Sequence, residues 1–129
     1  MPNLKITFPY NSDLSENRRL GWSPQSGRMY AQSGYKQAKA ALVLAISFAK
    51  AQERAKFAPR KRVWVALRVY RSNKYSDAAN SLKGVLDAIS EAIGVNDRYF
   101  DGSFHGLIDR KNPRLEIEIL QDLRKETQE

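Results

Sequence analysis

Carboxylates, amides and a lysine recur at short spacing between Asp77 and Asp97: Asp77 and Asn80, then Lys83, then Asp87, then the pair Asn96-Asp97. Aspartate oxygens are hard ligands suited to Mg²⁺, and a lysine beside them can neutralise charge on a phosphoryl group. The stretch directly follows a strongly basic one. From Lys50 to Lys74 stand nine basic residues (Lys50, Arg54, Lys56, Arg60, Lys61, Arg62, Arg68, Arg71 and Lys74) against the single acid Glu53. The whole net charge of +8 resides there, because the thirteen basic and thirteen acidic residues elsewhere cancel. Acidic side chains next to concentrated positive charge suit chemistry on a nucleic-acid backbone, whose counterions such a surface displaces.

Each of these residues also has an ordinary role. Asp77 is well placed to cap a helix, a contribution of about 1 kcal/mol. Lys83 and Asp87 are four apart, the spacing of an exposed helical ion pair. Asn96-Asp97 suits a turn, because both side chains bond their own backbone. A charge run can be a solvated face, and Phe57, Trp64, Tyr70 and Tyr75 can fill a core as well as stack on bases. His105 is the sole histidine and reads as structural or solvated.

The elements that must position these residues follow from hydrophobic periodicity. A chain of 129 residues with 42% apolar content makes one domain, residues 1–129, able to bury a core without covalent staples. The absence of cysteine removes disulfides, thiolate catalysis and Cys-ligated zinc. The N-terminus lacks the apolar region of a signal peptide and no run is long enough to span a bilayer, so a cytoplasmic location is expected.

Leu4, Ile6 and Phe8 alternate with Lys5 and Thr7, predicting a strand over residues 3–8. A polar loop is expected from Tyr10 to Ser33, carrying Asn17, Arg18, Arg19 and Arg28 as candidates for a phosphate clamp. Tyr35 to Arg54 reads as a helix with an apolar stripe of Ala38, Ala41, Leu42, Ala45, Phe48 and Ala49. Val63, Val65, Leu67 and Val69 predict a second strand with one deeply buried face. A second helix is expected from about Ala78 to Ile93. Its apolar side is Leu82, Val85, Leu86, Ile89 and Ile93, its polar side Asp77, Asn80, Lys83 and Asp87, and Gly94 closes it. Two strands, Phe104 to Asp109 and Arg114 to Leu120, joined by the turn Lys111-Asn112-Pro113, complete the chain. The order strand, helix, strand, helix, strand, strand indicates a single small α/β (α+β) domain with a mixed sheet. One straight helix would hold Asp77 and Asp97 more than about 20 Å apart. They meet only if the chain after Gly94 turns back along the helix or if two subunits supply them.

In these features the chain resembles the RusA-type Holliday junction resolvases. An N-terminal strand precedes a loop bearing Asn17, then Gly27-Arg28 and a helix opened by Tyr35. The family motif Asp-x-Asp-Asn-x-x-Lys, followed by Asp-Ala-Leu and a paired acidic turn, has its counterparts in Asp77-Ala78-Ala79-Asn80-Ser81-Leu82-Lys83, Asp87-Ala88-Ile89 and Asn96-Asp97. Ala79 and Asn96 stand where the family pattern has acids.

The resemblance implies a RusA-like fold and a homodimer that binds branched double-stranded DNA, cutting four-way junctions by paired symmetric nicks with Mg²⁺ (or Mn²⁺). It further implies Asp77 and Asp97 as metal ligands, and Lys83 as the residue that supports catalysis; Asp87, on the same polar face, partly compensates for the missing acids. Arg60, Lys61, Arg62, Arg68, Arg71 and Lys74, with Asn17, Arg18, Arg28 and Asn80, would hold the DNA. The competing class is a catalytically weak or inactive nucleic-acid-binding protein that uses the basic 50–74 region, and an RNA-recognition sheet ranks behind both.

Overall fold

The computed structural model describes residues 2–10, 14, 20–23, 28–31, 33–72 and 81–123. In chain order these form β1 (Asn3–Pro9), β2 (Leu20–Ser23), β3 (Arg28–Ala31), α1 (Ser33–Gln52), β4 (Val63–Arg71), α2 (Leu82–Ile93), a 3-10 turn (Asp97–Tyr99), β5 (Phe100–Ile108) and β6 (Arg114–Leu120). Four strands make one mixed sheet in the order β1-β6-β4-β5, in which β4 and β5 run parallel and β6 is antiparallel to both β1 and β4. The parallel pair requires a crossover, and α2 supplies it. β2 and β3 form a separate two-stranded hairpin.

Alternation sets the two faces of the sheet. Leu4 and Ile6 of β1, Val63, Val65, Leu67 and Val69 of β4, and Leu115, Ile117 and Ile119 of β6 are buried. Against them pack Tyr35, Ala38, Leu42 and Ile46 of α1, spaced at helical period, and Val85, Ala88, Ile89 and Ile93 of α2. The intervening strand residues make a second face, on which neither α1 nor α2 packs. Strand register sets Asn3, Leu120, Trp64 and Asp101 in one cross-strand row, and Thr7, Glu116, Arg68 and His105 in another.

Two sequence expectations change. The Tyr10 to Ser33 stretch is not a continuous loop but contains the antiparallel β2–β3 pair, because it carries Trp22 and Tyr30, good strand formers. On α1, Ala41 and Phe48 are exposed, Phe48 by 63%, and the buried stripe runs through Tyr35 and Ile46 instead. Alanine is small enough to fit either side of a helix, so it places the stripe poorly.

Both ends of the last two strands also differ from a simple hairpin. β5 starts at Phe100, four residues earlier than expected, and β6 pairs with β4, so residues 109–113 cross over the end of β4. There Asp109 N–H donates to the Arg71 carbonyl (2.9 Å), and the Asp109 carboxylate accepts from Lys111 N–H (3.1 Å) and Asn112 N–H (3.2 Å). Gly94 ends α2 at φ 72° and its N–H donates to the Ser90 carbonyl, as a left-handed helix terminus requires. Gly102 has φ 145°, and a Cβ there would lie 1.8 Å from the Val65 carbonyl oxygen, so β5 can approach β4 only with glycine at this place.

Candidate nucleic-acid interface and cleavage site

Parallel pairing of β4 and β5 decides which functional residues share a neighbourhood. Val63 is opposite Phe100, so the loop leading into β4 and the 3-10 turn leading into β5 emerge at one end of the sheet. At that end stand Asp97 and Arg98, both exposed, together with Arg60, Lys61 and Arg62. The end of α1 adds Lys50, Arg54 and Lys56. Asn96 caps the 3-10 turn, its side-chain oxygen accepting from Arg98 N–H at 3.0 Å, which holds the Asp97 backbone in place. Among the described residues no salt bridge engages Lys56, Arg60, Lys61 or Arg62.

The basic loop is tied to the sheet by a residue that sequence reasoning passed over. Gln121, just past β6, is fully buried. Its Oε1 accepts from Ala58 N–H (2.7 Å), and its Nε2 donates to the carbonyls of Ala58 (2.9 Å) and Lys61 (3.1 Å). Lys61 Nζ in turn donates to the Leu123 carbonyl at 3.3 Å. A buried amide satisfied on both its oxygen and nitrogen holds Ala58 to Lys61 in one conformation, so its cations are presented on an ordered frame. Only its position after an alternating strand could have pointed to it, and that signal is shared by many surface glutamines.

The other end of the sheet collects charge that is already balanced. Arg114 donates through Nη1 to Asp109 (2.8 Å) and through Nε to Glu116 (2.8 Å), with its guanidinium 3.8 Å from the Tyr70 ring centroid. The paired guanidinium holds the Asp109 carboxyl below its ordinary value, and Glu116 with Asp109 raises Arg114 above its own. Arg68, its side chain largely exposed, lies 3.9 Å from Glu116 on the sheet face opposite the helices. Arg71 closes β4. At the start of α2, Lys83 lies 3.7 Å from Asp87, the ion pair that the i,i+4 spacing foretold.

The structure therefore sets Asp97 at the same end of the sheet as Arg60, Lys61 and Arg62, and pairs Lys83 with Asp87, but it sets Lys83 and Arg71 toward the opposite end from Asp97. From Lys83 to Ile93 alone α2 spans about 15 Å. Asp77, Asn80, Lys74, Asn17 and Arg18 lie outside the described residues, and Arg28 is described only as the first backbone position of β3. The N-cap of α2 is Ser81, whose buried hydroxyl makes no hydrogen bond, so the capping position expected of Asp77 belongs to another residue. No three His, Cys, Asp or Glu side chains converge among the described residues, which by themselves do not complete a cation site. Among those residues no helix is long and apolar enough to cross a membrane.

The family model described as endodeoxyribonuclease RusA matches residues 13–120, a span that takes in the basic loop, α2 and Asp97. The chain belongs to the RusA family. It is thus an endodeoxyribonuclease of a family that acts on four-way DNA junctions in recombination, with a mixed four-stranded sheet and two helices. No curated protein matches the chain.

Proposed function

We propose that this RusA-family chain resolves Holliday junctions in the cytoplasm, in recombination and repair, as a C2 homodimer that makes paired symmetric nicks with Mg²⁺ or Mn²⁺. The observation that supports the reading best is that an exposed carboxylate, Asp97, stands at the same end of the sheet as cations that no carboxylate among the described residues neutralises.

In this reading Asp97, Asp77 and Asp87 hold the divalent cation, which when bound supplies an activated water and polarises the scissile phosphate. Lys83 offsets charge that accumulates on the phosphoryl oxygens in the transition state. Arg60, Lys61 and Arg62 grip the backbone at the Asp97 end, while Arg28, Arg68, Arg71 and Lys74, with Asn17, Arg18 and Asn80, extend the contact. Phosphate contacts of this kind position a duplex without reading its bases, as suits selection by shape. A junction with near twofold symmetry offers two equivalent strands to two equivalent subunits, and paired nicks follow from that match.

The second reading, a binding protein with little or no cleavage, is favoured by Ala79 and Asn96, since each replaces an acid and so removes negative charge from any cation site. One substitution separates the two. Asp97→Ala should lower Mg²⁺-dependent cleavage of a synthetic four-way junction by about 10²-fold or more, with junction affinity unchanged or higher as carboxylate–phosphate repulsion is removed. Absence of cleavage by the unaltered chain in both Mg²⁺ and Mn²⁺ would establish the binder reading.

A further inference from the structure

Trp64 alternates with the buried Val63 and Val65, so it stands on the sheet face opposite the helices, and 43% of it is exposed. Arg62, Trp64, Ala66, Arg68 and Tyr70 share that side of the chain. The two large aromatics of this stripe differ in what covers them. Tyr70 carries the guanidinium of Arg114 at 3.8 Å, itself held by two carboxylates. Among the described residues the Trp64 ring has only Arg62 near it, 5.8 Å from its centroid.

Strand register makes a hollow beside the indole. Trp64 pairs with Leu120, and two residues on, Ala66 pairs with Glu118 of β6 and Ser103 of β5. A tall ring next to two short side chains leaves a space of about 490 Å³, walled by Trp64 and Leu120 and edged by Ser103 and Glu118. Charge decides what fits there. Glu118 is exposed and makes no ion pair among the described residues, Lys5 across from it on β1 included. A phosphate in the hollow would meet a bare carboxylate, whereas the amino groups of a base would find an acceptor. Phosphate is served instead on the Arg62 side, by the cations of the loop that Gln121 orders.

We propose that Trp64 is a stacking platform for one unpaired base of the DNA, with the phosphate of that nucleotide on Arg62. It rests on the DNA-binding part of the reading above and needs no cleavage. A base stacked on an aromatic side chain gains about 5- to 150-fold in affinity, and every base offers the ring face required, so the platform is indifferent to sequence. Drawing a base out of a continuous duplex costs a comparable factor, whereas a base at a branch or in a single strand is already partly unstacked. Trp64 therefore adds affinity for branched or single-stranded DNA and little for an unbroken duplex, which the basic loop holds through phosphate alone.

Two measurements on the full chain test this, both in EDTA so that no divalent cation supports cleavage. Fluorescence anisotropy compares a four-way junction, an oligothymidylate of about eight nucleotides and an unbroken duplex. Trp64→Leu, which keeps apolar bulk and removes the ring, should weaken binding of the first two by about 5- to 150-fold and leave the duplex unchanged. Its slope of log affinity against log salt should equal that of the unaltered chain, because no phosphate contact is lost. Trp64→Phe, with a smaller ring, should fall between. Unchanged affinity for all three probes, equal weakening for all three, or a shallower salt slope would overturn the platform. The second measurement needs no variant. A 2-aminopurine at the centre of the oligothymidylate should lose emission on binding the unaltered chain, since stacking on an indole quenches it, and binding with unchanged emission would overturn the proposal. Failure of the unaltered chain to bind the junction at all would remove the reading above together with the platform, whereas intact junction binding without a Trp64 effect would remove the platform alone.

Discussion

The two ends of the central sheet treat positive charge in opposite ways. Where β4 ends and β6 begins, Arg114 is stacked on Tyr70 and bonded to Asp109 and Glu116, so its charge is used up inside the molecule. Where β4 and β5 begin, Arg60, Lys61 and Arg62 meet no carboxylate among the described residues, and the buried amide of Gln121 orders the backbone that carries them. The lesson is that the number of basic residues says less than their pairing. An arginine held by two carboxylates stabilises a crossover connection, whereas ordered cations without carboxylate partners are available to an external polyanion, whose bound counterions they release.

The sharpest way to break this contrast, after Asp97→Ala, is to neutralise the unpaired set. Arg60→Ala/Lys61→Ala/Arg62→Ala should weaken junction binding by about 10²-fold near 100 mM salt and make the slope of log affinity against log salt shallower by about 0.9 for each phosphate that the protein no longer neutralises. A slope equal to that of the unaltered chain would show that these cations do not touch phosphate. Fluorescence anisotropy across a salt series measures it.

A smaller effect separates the cations from the frame that holds them. Gln121→Leu keeps side-chain bulk but strands the Ala58 N–H and two carbonyls, so it should cost about 1–3 kcal/mol of stability in denaturant unfolding. It should also reduce junction affinity by several-fold at temperatures where the fold persists. In the triple-alanine background the same change should add nothing further to the weakening of binding, because there are no cations left to position. Additive effects would show that Gln121 acts on stability alone.

The balanced end should give the smallest response, and one visible only in acid. The Asp109 carboxyl is depressed by its bond to Arg114, so its contribution is present above the ordinary aspartate range, roughly pH 4, and is lost as pH falls through its own lowered value. Asp109→Asn should therefore be less stable than the unaltered chain at pH 6, and the two should converge between about pH 4 and pH 2. Thermal unfolding at a series of pH values checks the convergence, and DNA affinity at neutral pH should be unaffected.

Much of this molecule could be read from local pattern. Val63 to Val69 and Leu115 to Ile119 announce their buried faces by strict alternation, Gly94 ends α2 where a left-handed residue is needed, and Lys83 pairs with Asp87 at helical spacing. The motif from Asp77 to Asp97 pointed to the family that the match over residues 13–120 establishes. The β2–β3 hairpin escaped because its strands are only four residues each, too short for a period to declare itself. Phe48 was misplaced because α1 is apolar on more than one side.

What depends on neighbours in sequence was thus legible in the chain: element type, the buried stripe of each strand, and the residue chemistry of the motif. Strand order was not, since hydrogen-bond pairing between segments far apart leaves no periodic trace. The parallel pairing of β4 with β5 set Asp97 at the sheet end that bears the basic loop and away from the start of α2, and the contact of Gln121 with Ala58 and Lys61 spans some sixty residues. Those placements follow from the packing of the whole sheet, where each long-range contact becomes favourable only once the others exist.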